Sequence, residues 1–404
     1  MEPSGPEFTG PVVRRTKGLA FPDTAEEAAM ACYGAEAHGE RGRERLDLSG
    51  PAPVAAFCNP FKDGTPEAFV LTEDEDGWGY VRYLSQDPPV SGRWFLRELP
   101  GRPSTATAVV VTVQGLTVSA HWTDVSGNLW WAPLTPGGFG DPVQYGLGKG
   151  IVRLAVTYHR SGRNPCTPVV YGTAVQAGSR VPRLWLSTPA HPMTYYRMPE
   201  GFGGRSAFTL SMAGPDVWVV DGVLDGRLLR WRGQQGTSAL QGPLEYGGDC
   251  VPARSVVGTY GQVDPLTPRP LFIGRDGVLY AWAGRRGAIE PAGRSPVREA
   301  RVAGQPYGKT LVYMTGRDGT LGAMRAGTWD DAVPVPGSVE QISAVPRMDA
   351  VYPALHPDDR PTVFAMESTS GTLTVFSHNS TGWECRAVLG FERPGQSQPA
   401  GGRS

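Results

Sequence analysis

The sequence predicts an all-β protein, a seven-bladed β-propeller of four-stranded antiparallel blades preceded by a short N-terminal helix. Three observations carry this expectation. One pattern recurs seven times at a spacing of about fifty residues, as strand–turn–strand repeats do. In it an apolar strand runs into a small or Gly-containing turn and leaves through an aliphatic residue, usually with an aromatic close behind. The clearest copy is Leu271-Phe272-Ile273, Arg275-Asp276-Gly277, Leu279-Tyr280-Ala281-Trp282. Others pair Val217–Val220 with Gly226-Arg227-Leu228, Leu311–Met314 with Asp318-Gly319-Thr320-Leu321, and Val363–Met366 with Gly371-Thr372-Leu373, while weaker copies centre on Val81, Leu129 and Leu184. The second observation is a load of 54 Gly and 38 Pro that falls between short apolar runs, so these residues read as turns. The third is a hydrophobic content of 40% against 19% charged residues, enough for a real core. Such repeats cannot bury both faces alone and stack around an axis instead.

Taken in order, residues 1–45 form an N-terminal extension whose first 22 residues are Pro- and Gly-punctuated. A helix is expected over about 24–38: Asp23 or Thr24 serves as N-cap, Glu26 and Glu27 sit where a capping box wants an acid, and Ala25 to Ala37 has high helix propensity. Its narrow face of Ala28, Ala29, Cys32 and Ala35 suits close packing as a strut or lid on the propeller, or as a plug for the channel. The blades follow within 46–392, at about 46–102, 103–148, 149–200, 201–246, 247–296, 297–339 and 340–392. In the first, Pro53 to Asn59 reads as the innermost strand, Ala68 to Leu71 as the second, Gly79 to Leu84 as the third and Arg93 to Leu99 as the outermost. Val81, Leu129, Leu184, Leu228, Leu279, Leu321 and Leu373 are expected to point between adjacent blades. Three positions on, the occupants diverge: Trp231, Trp282, Met324 and Phe376 in the last four blades, but Ala132 and Ser187 in the second and third. Residues 393–404 read as a disordered tail.

Composition narrows the function classes. The net charge of −1 and the lack of a basic block exclude the cationic stripe that nucleic acid requires. No run is long and apolar enough for a transmembrane helix, so no membrane partner is expected. Met1 to Gly18 has no apolar core of a signal peptide, which points to the cytoplasm. Basic residues are almost all Arg, with Lys only at Lys17, Lys62, Lys149 and Lys309, a bias that resembles a high-GC bacterium, an actinobacterium in particular. Cys32, Cys58, Cys166, Cys250 and Cys385 are scattered singly and spell neither a disulfide framework nor a metal clip. Neither metal nor cofactor is expected.

The stretch Arg269 to Trp282 resembles a blade of the bacterial and fungal fucose-lectin-like propellers, and Pro361 to Leu373 is similar. The resemblance covers about four blades and is shared with tectonin-like and sialidase-like propellers. No blade completes the sialidase Ser-x-Asp-x-Gly-x-Thr-Trp turn; Ser370-Gly371-Thr372 lacks its Asp and Trp. The resemblance implies sugar held between blades against aromatic residues, here Trp231 and Trp282. The small residues in the second and third blades break that scheme.

Chemistry is expected at one mouth of the central channel, on the loops that follow the innermost strands. These carry Asn59, Phe61, Tyr158, His159, Tyr260, Asp264, Tyr307, Tyr352 and His356, a concentration of Tyr and His that turns do not ordinarily favour. Apolar walls with a few placed polar groups make a ligand pocket. Under an enzyme reading His159 is the acid or base, Asp264 or Asp349 orients it, and Tyr260 donates to an oxyanion or a hydroxylated ligand. Under a packing reading the tyrosines close the channel. Glu73 to Gly77 reads as a solvated acidic turn, because the bidentate acid of a calcium loop falls on Tyr83. Three functions follow: a propeller that binds a carbohydrate or glycoconjugate; a single-site, cofactor-independent lyase, cyclase or isomerase; and a scaffold for a protein partner. The first leads, with a small molecule or sugar as its ligand.

Overall fold

The computed structural model describes residues 53–390 except 74–78, 87–93, 100–108, 125, 146–149, 160–166, 176–181, 188–193, 203–207, 215, 246–252, 261–268, 283–287, 290–296, 304–310, 318, 326–339, 344–347, 349, 355–360, 368–371 and 380–381; ahead of them it describes 34–36, 38–39, 42–43 and 45–46. Seven antiparallel sheets follow one another along the chain, each a meander from an innermost strand outward. Blade 1 runs Val54–Asn59, Thr65–Glu73, Gly79–Gln86 and Trp94–Glu98. The later innermost strands are Val109–Gln114, Ile151–His159, Phe208–Gly214, Ala253–Tyr260, Val297–Ala303 and Ala350–Pro353. Neighbouring innermost strands touch around the whole ring, including those of blades 7 and 1. They are rich in Val, Ala, Thr and Gly, which suits strands crowded at an axis. Where blades 5 and 6 meet, a Cβ added to Gly258 would stand 2.7 Å from Val302 Cγ2.

The buried core divides into seven clusters, and each is one blade-to-blade seam. Each seam also holds one member of the recurring aliphatic set: Val81 between blades 1 and 2, Leu129 between 2 and 3, Leu184 between 3 and 4, Leu228 between 4 and 5, Leu279 between 5 and 6, Leu321 between 6 and 7, and Leu373 between 7 and 1. All seven are at most 4% exposed, so the expectation that they point between blades holds. A fully buried Leu stabilises by roughly 1.5–3 kcal/mol, and here that energy joins blades rather than filling one.

The turn glycines of the repeat do a second job. Gly127, Gly226, Gly277 and Gly319 have φ of 73°, 78°, 89° and 83°, a left-handed conformation that costs other residues strain. Their carbonyls accept from Ile151, Ala253, Val297 and Met348 N–H at 3.0, 2.9, 2.7 and 3.1 Å. Each donor opens, or immediately precedes, the innermost strand of the following blade. One residue therefore turns the chain within its own blade and ties down the start of the next.

The N-terminal segment departs from the sequence expectation. Gly34–Glu36 is a strand paired in parallel with Val388 to Gly390 on the outer edge of blade 7, where the last turns of a helix were expected. Residues 24–33 lie outside the described residues, so the expected helix is not supported; among the described residues the helical element is a 3-10 turn at Pro60–Lys62. An unpaired edge strand offers backbone donors and acceptors along its whole length. Further on, Arg45–Leu46 pairs with Thr72 and Glu73 of blade 1. The segment thus spans the seam at which the ring closes.

Blade 2 buries His121 against blade 3. Its Nε2 lies 3.1 Å from Thr112 Oγ1, and its ring stacks on Tyr145 at 6.3 Å between centroids. Burial pulls its pKa down to about 4, so the imidazole is neutral in the fold.

Two outcomes follow from these contacts. Gly127→Ala would press its Cβ to within 2.7 Å of Gly150 Cα and 2.8 Å of Ile151 N, at positive φ. Urea unfolding should record a loss of about 3 kcal/mol or more, since backbone strain alone costs about 1–3 kcal/mol. Gly115→Ala, at φ 58° with open space around its Cβ, should lose only about 1–2 kcal/mol. The unfolded chain protonates His121 near its ordinary pKa of about 6.5, whereas the folded chain resists. Its contribution is therefore complete above that pH and lost as pH falls toward about 4. In parallel denaturation series, wild type should lose about 3 kcal/mol more than His121→Gln across that window.

Candidate functional site

All seven blades line a chamber on the propeller axis with a volume of about 470 Å³. Its wall is part aliphatic, with Val156 and Val257 half-buried there and Val54, Val109, Val111 and Leu154 bordering it from the seams. Hydroxyl groups come from Thr157, Thr209, Ser255 and Thr259, and Ser211 Oγ donates to Thr259 Oγ1 at 2.9 Å. Charge enters from two innermost strands. In blade 6, Glu299 and Arg301 stand two residues apart, on one face of a pleated strand. Arg301 Nε and Nη2 both reach Glu299 Oε1, at 2.9 and 2.8 Å. In blade 3, Arg153 interrupts the apolar run Ile151-Val152-Arg153-Leu154-Ala155-Val156.

Each arginine lies over an aromatic ring of the following blade. Arg153 Cζ is 5.1 Å from the Phe208 centroid, and Arg301 Cζ is 5.4 Å from that of Tyr352. Such a placement favours a cation electrostatically. Backbone packing sets the base of Arg153 as well: a Cβ on Gly172, which pairs with Leu154, would stand 1.9 Å from Arg153 O, so only glycine fits there. Burial, together with the like charge of Arg301, lowers the Arg153 pKa, although Tyr171 counters this. At Arg301 burial also acts downward, but Glu299 and Tyr352 outweigh it and hold the pKa above its ordinary value. Both groups stay cationic at neutral pH.

The residues expected from sequence are distributed as follows. Tyr158 and Tyr352 line the chamber, and Tyr158 Oη accepts from Val113 N–H at 3.0 Å, joining the innermost strands of blades 3 and 2. Asn59, His159 and Tyr260 are each the last residue of an innermost strand. The shared blade topology brings those three strand ends to one mouth. Asp264, Asp349, Tyr307 and His356 lie outside the described residues. Trp231 is 2% exposed and packs edge-on against Phe202 at 5.0 Å in the seam between blades 3 and 4. Trp282 pairs with Ala288 in the outer half of blade 5.

Asn59 turns into its own blade. Its Oδ1 accepts from Phe61 N–H at 2.9 Å and its Nδ2 donates to Glu67 Oε2 at 2.7 Å. Lys62 Nζ donates to Glu67 Oε1 at 3.0 Å, and the Tyr83 hydroxyl donates to Glu67 Oε2. Burial raises the Glu67 pKa against the pull of Lys62, Tyr83 and Asn59. This network braces the turn at the mouth of blade 1.

Arg153, Glu299 and Arg301 were not expected from sequence. For Arg153 the signal was present, as a charge within an otherwise apolar innermost strand; Glu299 and Arg301 sit in the mixed run Val297-Arg298-Glu299-Ala300-Arg301, where no single charge stands out.

No family model matches the sequence, and no curated protein matches it. Solved structures do. The BP39L lectin from Burkholderia pseudomallei is similar at 18% identity and a TM-score of 0.56, over 85% of this chain and 100% of that one. A fucose-specific lectin from Aleuria aurantia matches at 13% identity and a TM-score of 0.45, over 88% of this chain and 100% of that one. The first of these likenesses identifies the fold.

Asn59→Ala would strip one hydrogen bond from the buried Glu67 carboxylate and the cap from Phe61 N–H. Urea denaturation should show a loss of roughly 1–3 kcal/mol, the usual cost of leaving buried polar groups short of partners. Asn59→Asp should lose more, because it sets a second carboxylate against Glu67.

Proposed function

We propose that this protein is a carbohydrate-binding propeller that holds one ligand per chain in the axial chamber. One observation carries the reading: a cavity of about 470 Å³, lined by all seven blades, that joins aliphatic wall to hydroxyl, guanidinium and carboxylate groups from blades 3 to 6. Ligand pockets run from roughly 300 to 1,000 Å³, so the chamber suits a mono- or disaccharide. A sugar ring offers apolar C–H faces and a dense set of hydroxyls, and this wall supplies counterparts to both. Likeness in fold to a protein described as a lectin supports the same ligand class. Trp231 and Trp282, which the family resemblance would place against sugar between blades, are the competing location.

A second reading is a cofactor-independent enzyme: His159 and Tyr260 both close innermost strands at the same mouth, and under this reading His159 is the acid or base and Tyr260 the donor.

Calorimetric titration with L-fucose, D-galactose, D-glucose and their carboxylated forms should reveal one site per chain. Ser255→Trp, which fills the chamber, should abolish binding while leaving the circular dichroism spectrum unchanged. Several equivalent sites that survive Ser255→Trp would move the sugar to the seams. If a bound sugar is chemically altered, and the alteration stops in His159→Ala, the enzyme reading prevails.

A further inference from the structure

We infer that Glu299 and Ser255 are the residues that read the sugar: Glu299 Oε2 accepts from one hydroxyl of a neutral saccharide, and Ser255 engages the hydroxyl beside it. The inference rests on the proposal that the chamber is the sugar site. It deepens that proposal by naming the recognition edge and the group recognised, a pair of neighbouring free hydroxyls.

Three innermost strands share one irregularity. Ile151, Ala253 and Val297 open the strands of blades 3, 5 and 6, each tied to a turn glycine of the preceding blade. Directly after them the register with the second strand skips one position, at Val152, Arg254 and Arg298. A bulge of this kind bends its strand and re-aims the side chain beside it. The residues that follow are Arg153, Ser255 and Glu299, and all three line the chamber. One local device thus presents three different side chains at one tier of the axis.

Two of them stand on adjoining strands. Arg254 Nη2 donates to the Arg298 carbonyl at 2.8 Å, and a Cβ on Gly258 would meet Val302 Cγ2, so the strands of blades 5 and 6 run in step over this stretch. Ser255 and Glu299, one residue past Arg254 and Arg298, are therefore level. Neither is sealed: Ser255 is half-buried, and the Glu299 side chain is 26% accessible.

Their bonding selects the group. Arg301 Nε and Nη2 both reach Glu299 Oε1, and among the described residues no hydrogen bond or ion pair reaches Oε2. A carboxylate whose charge is already met by a guanidinium gains little from a second cation, whereas its remaining lone pairs take O–H donors well. The ion pair also holds the carboxylate in place, so a ligand hydroxyl meets an acceptor that is ordered beforehand. Ser255 Oγ makes no hydrogen bond among the described residues, and a hydroxyl both donates and accepts. An acceptor beside a group of either kind matches two adjacent sugar hydroxyls.

The test is calorimetric titration of the full chain with the methyl glycosides of D-glucose, D-galactose and L-fucose, their 2-, 3- and 4-deoxy derivatives, and glucosamine. For a parent that binds, removal of one particular hydroxyl should cost at least about tenfold in affinity, and removal of its neighbour about fivefold, as hydrogen bonds to charged and neutral partners do. Glu299→Gln should weaken the parent by roughly thirtyfold and remove most of the penalty for the first deoxy sugar, because both changes strike one interaction. Ser255→Ala should do the same, more weakly, for the neighbouring deoxy sugar. Should Glu299→Gln fail to fold, the deoxy series on wild type and Ser255→Ala decides. Deoxy sugars bound as tightly as their parents, or penalties unchanged in both variants, would overturn the recognition edge and leave the sugar site standing. Glucosamine bound at least about tenfold more tightly than glucose would overturn the neutral hydroxyl pair in favour of a cation. Failure of every sugar to bind would overturn both the edge and the sugar site.

Discussion

The fold depends on the contact between one blade and the next. A single four-stranded sheet of this chain cannot cover both of its faces, and each buried cluster lies between two sheets rather than within one. The glycine carbonyl that receives the first amide of the following innermost strand adds direction to that apolar contact. Hydrophobic burial alone would tolerate a blade sliding along its neighbour. A backbone hydrogen bond at the start of each innermost strand does not, because a slip would strand a donor and an acceptor where water cannot replace them. The described copies of this tie, from Gly127, Gly226, Gly277 and Gly319, therefore set the height at which each strand enters the axis. The chamber inherits its shape from that alignment.

Crowding at the axis explains why the chamber has the chemistry it has. Small and β-branched residues let innermost strands come together, as at Gly258 against Val302 and Gly172 against the Arg153 carbonyl. Large charged side chains are accommodated at the few places where the ring leaves room, and Arg153 and Arg301 each lie over an aromatic ring of the next blade. The seven-fold repeat is strict at the seams and relaxed along the channel. Packing demands an aliphatic residue at that position in every blade, whereas one asymmetric cavity has no use for repetition.

Much of this was legible in the sequence, for a physical reason. Burial of Leu279 or Leu373 follows from local alternation, so a repeating pattern reports it directly. Strand–turn–strand spacing is local too, and the turn glycines announce themselves. What was not legible depends on distant partners. The run from Ala25 to Ala37 has the composition of a helix, yet Gly34–Glu36 pairs with the far end of the chain, and nothing near it in sequence signals that edge. Asn59 has the look of a ligand-binding side chain, but the carboxylate that engages it, Glu67, is seated only once two strands have paired. Arg153 and Arg301 lie on innermost strands rather than on the loops that follow them, where polar residues are ordinary. A charge in the middle of an apolar strand is the rarer and more informative feature.

The clasp formed by residues 34–46 bears on how the protein is made. Its first strand has no partner until Val388 to Gly390 exist, and its last pairs within blade 1. During synthesis blades 1 to 6 can emerge from the ribosome and stack in succession, while the N-terminal segment waits for the final strand. Closure of the ring is then the last event, and it joins the earliest residues to the latest. A nascent chain halted before blade 7 would expose the aliphatic flank of blade 6 and leave Gly34–Glu36 without the edge it pairs with. Quality-control proteases and chaperones would meet that species as an open arc rather than as a damaged ring.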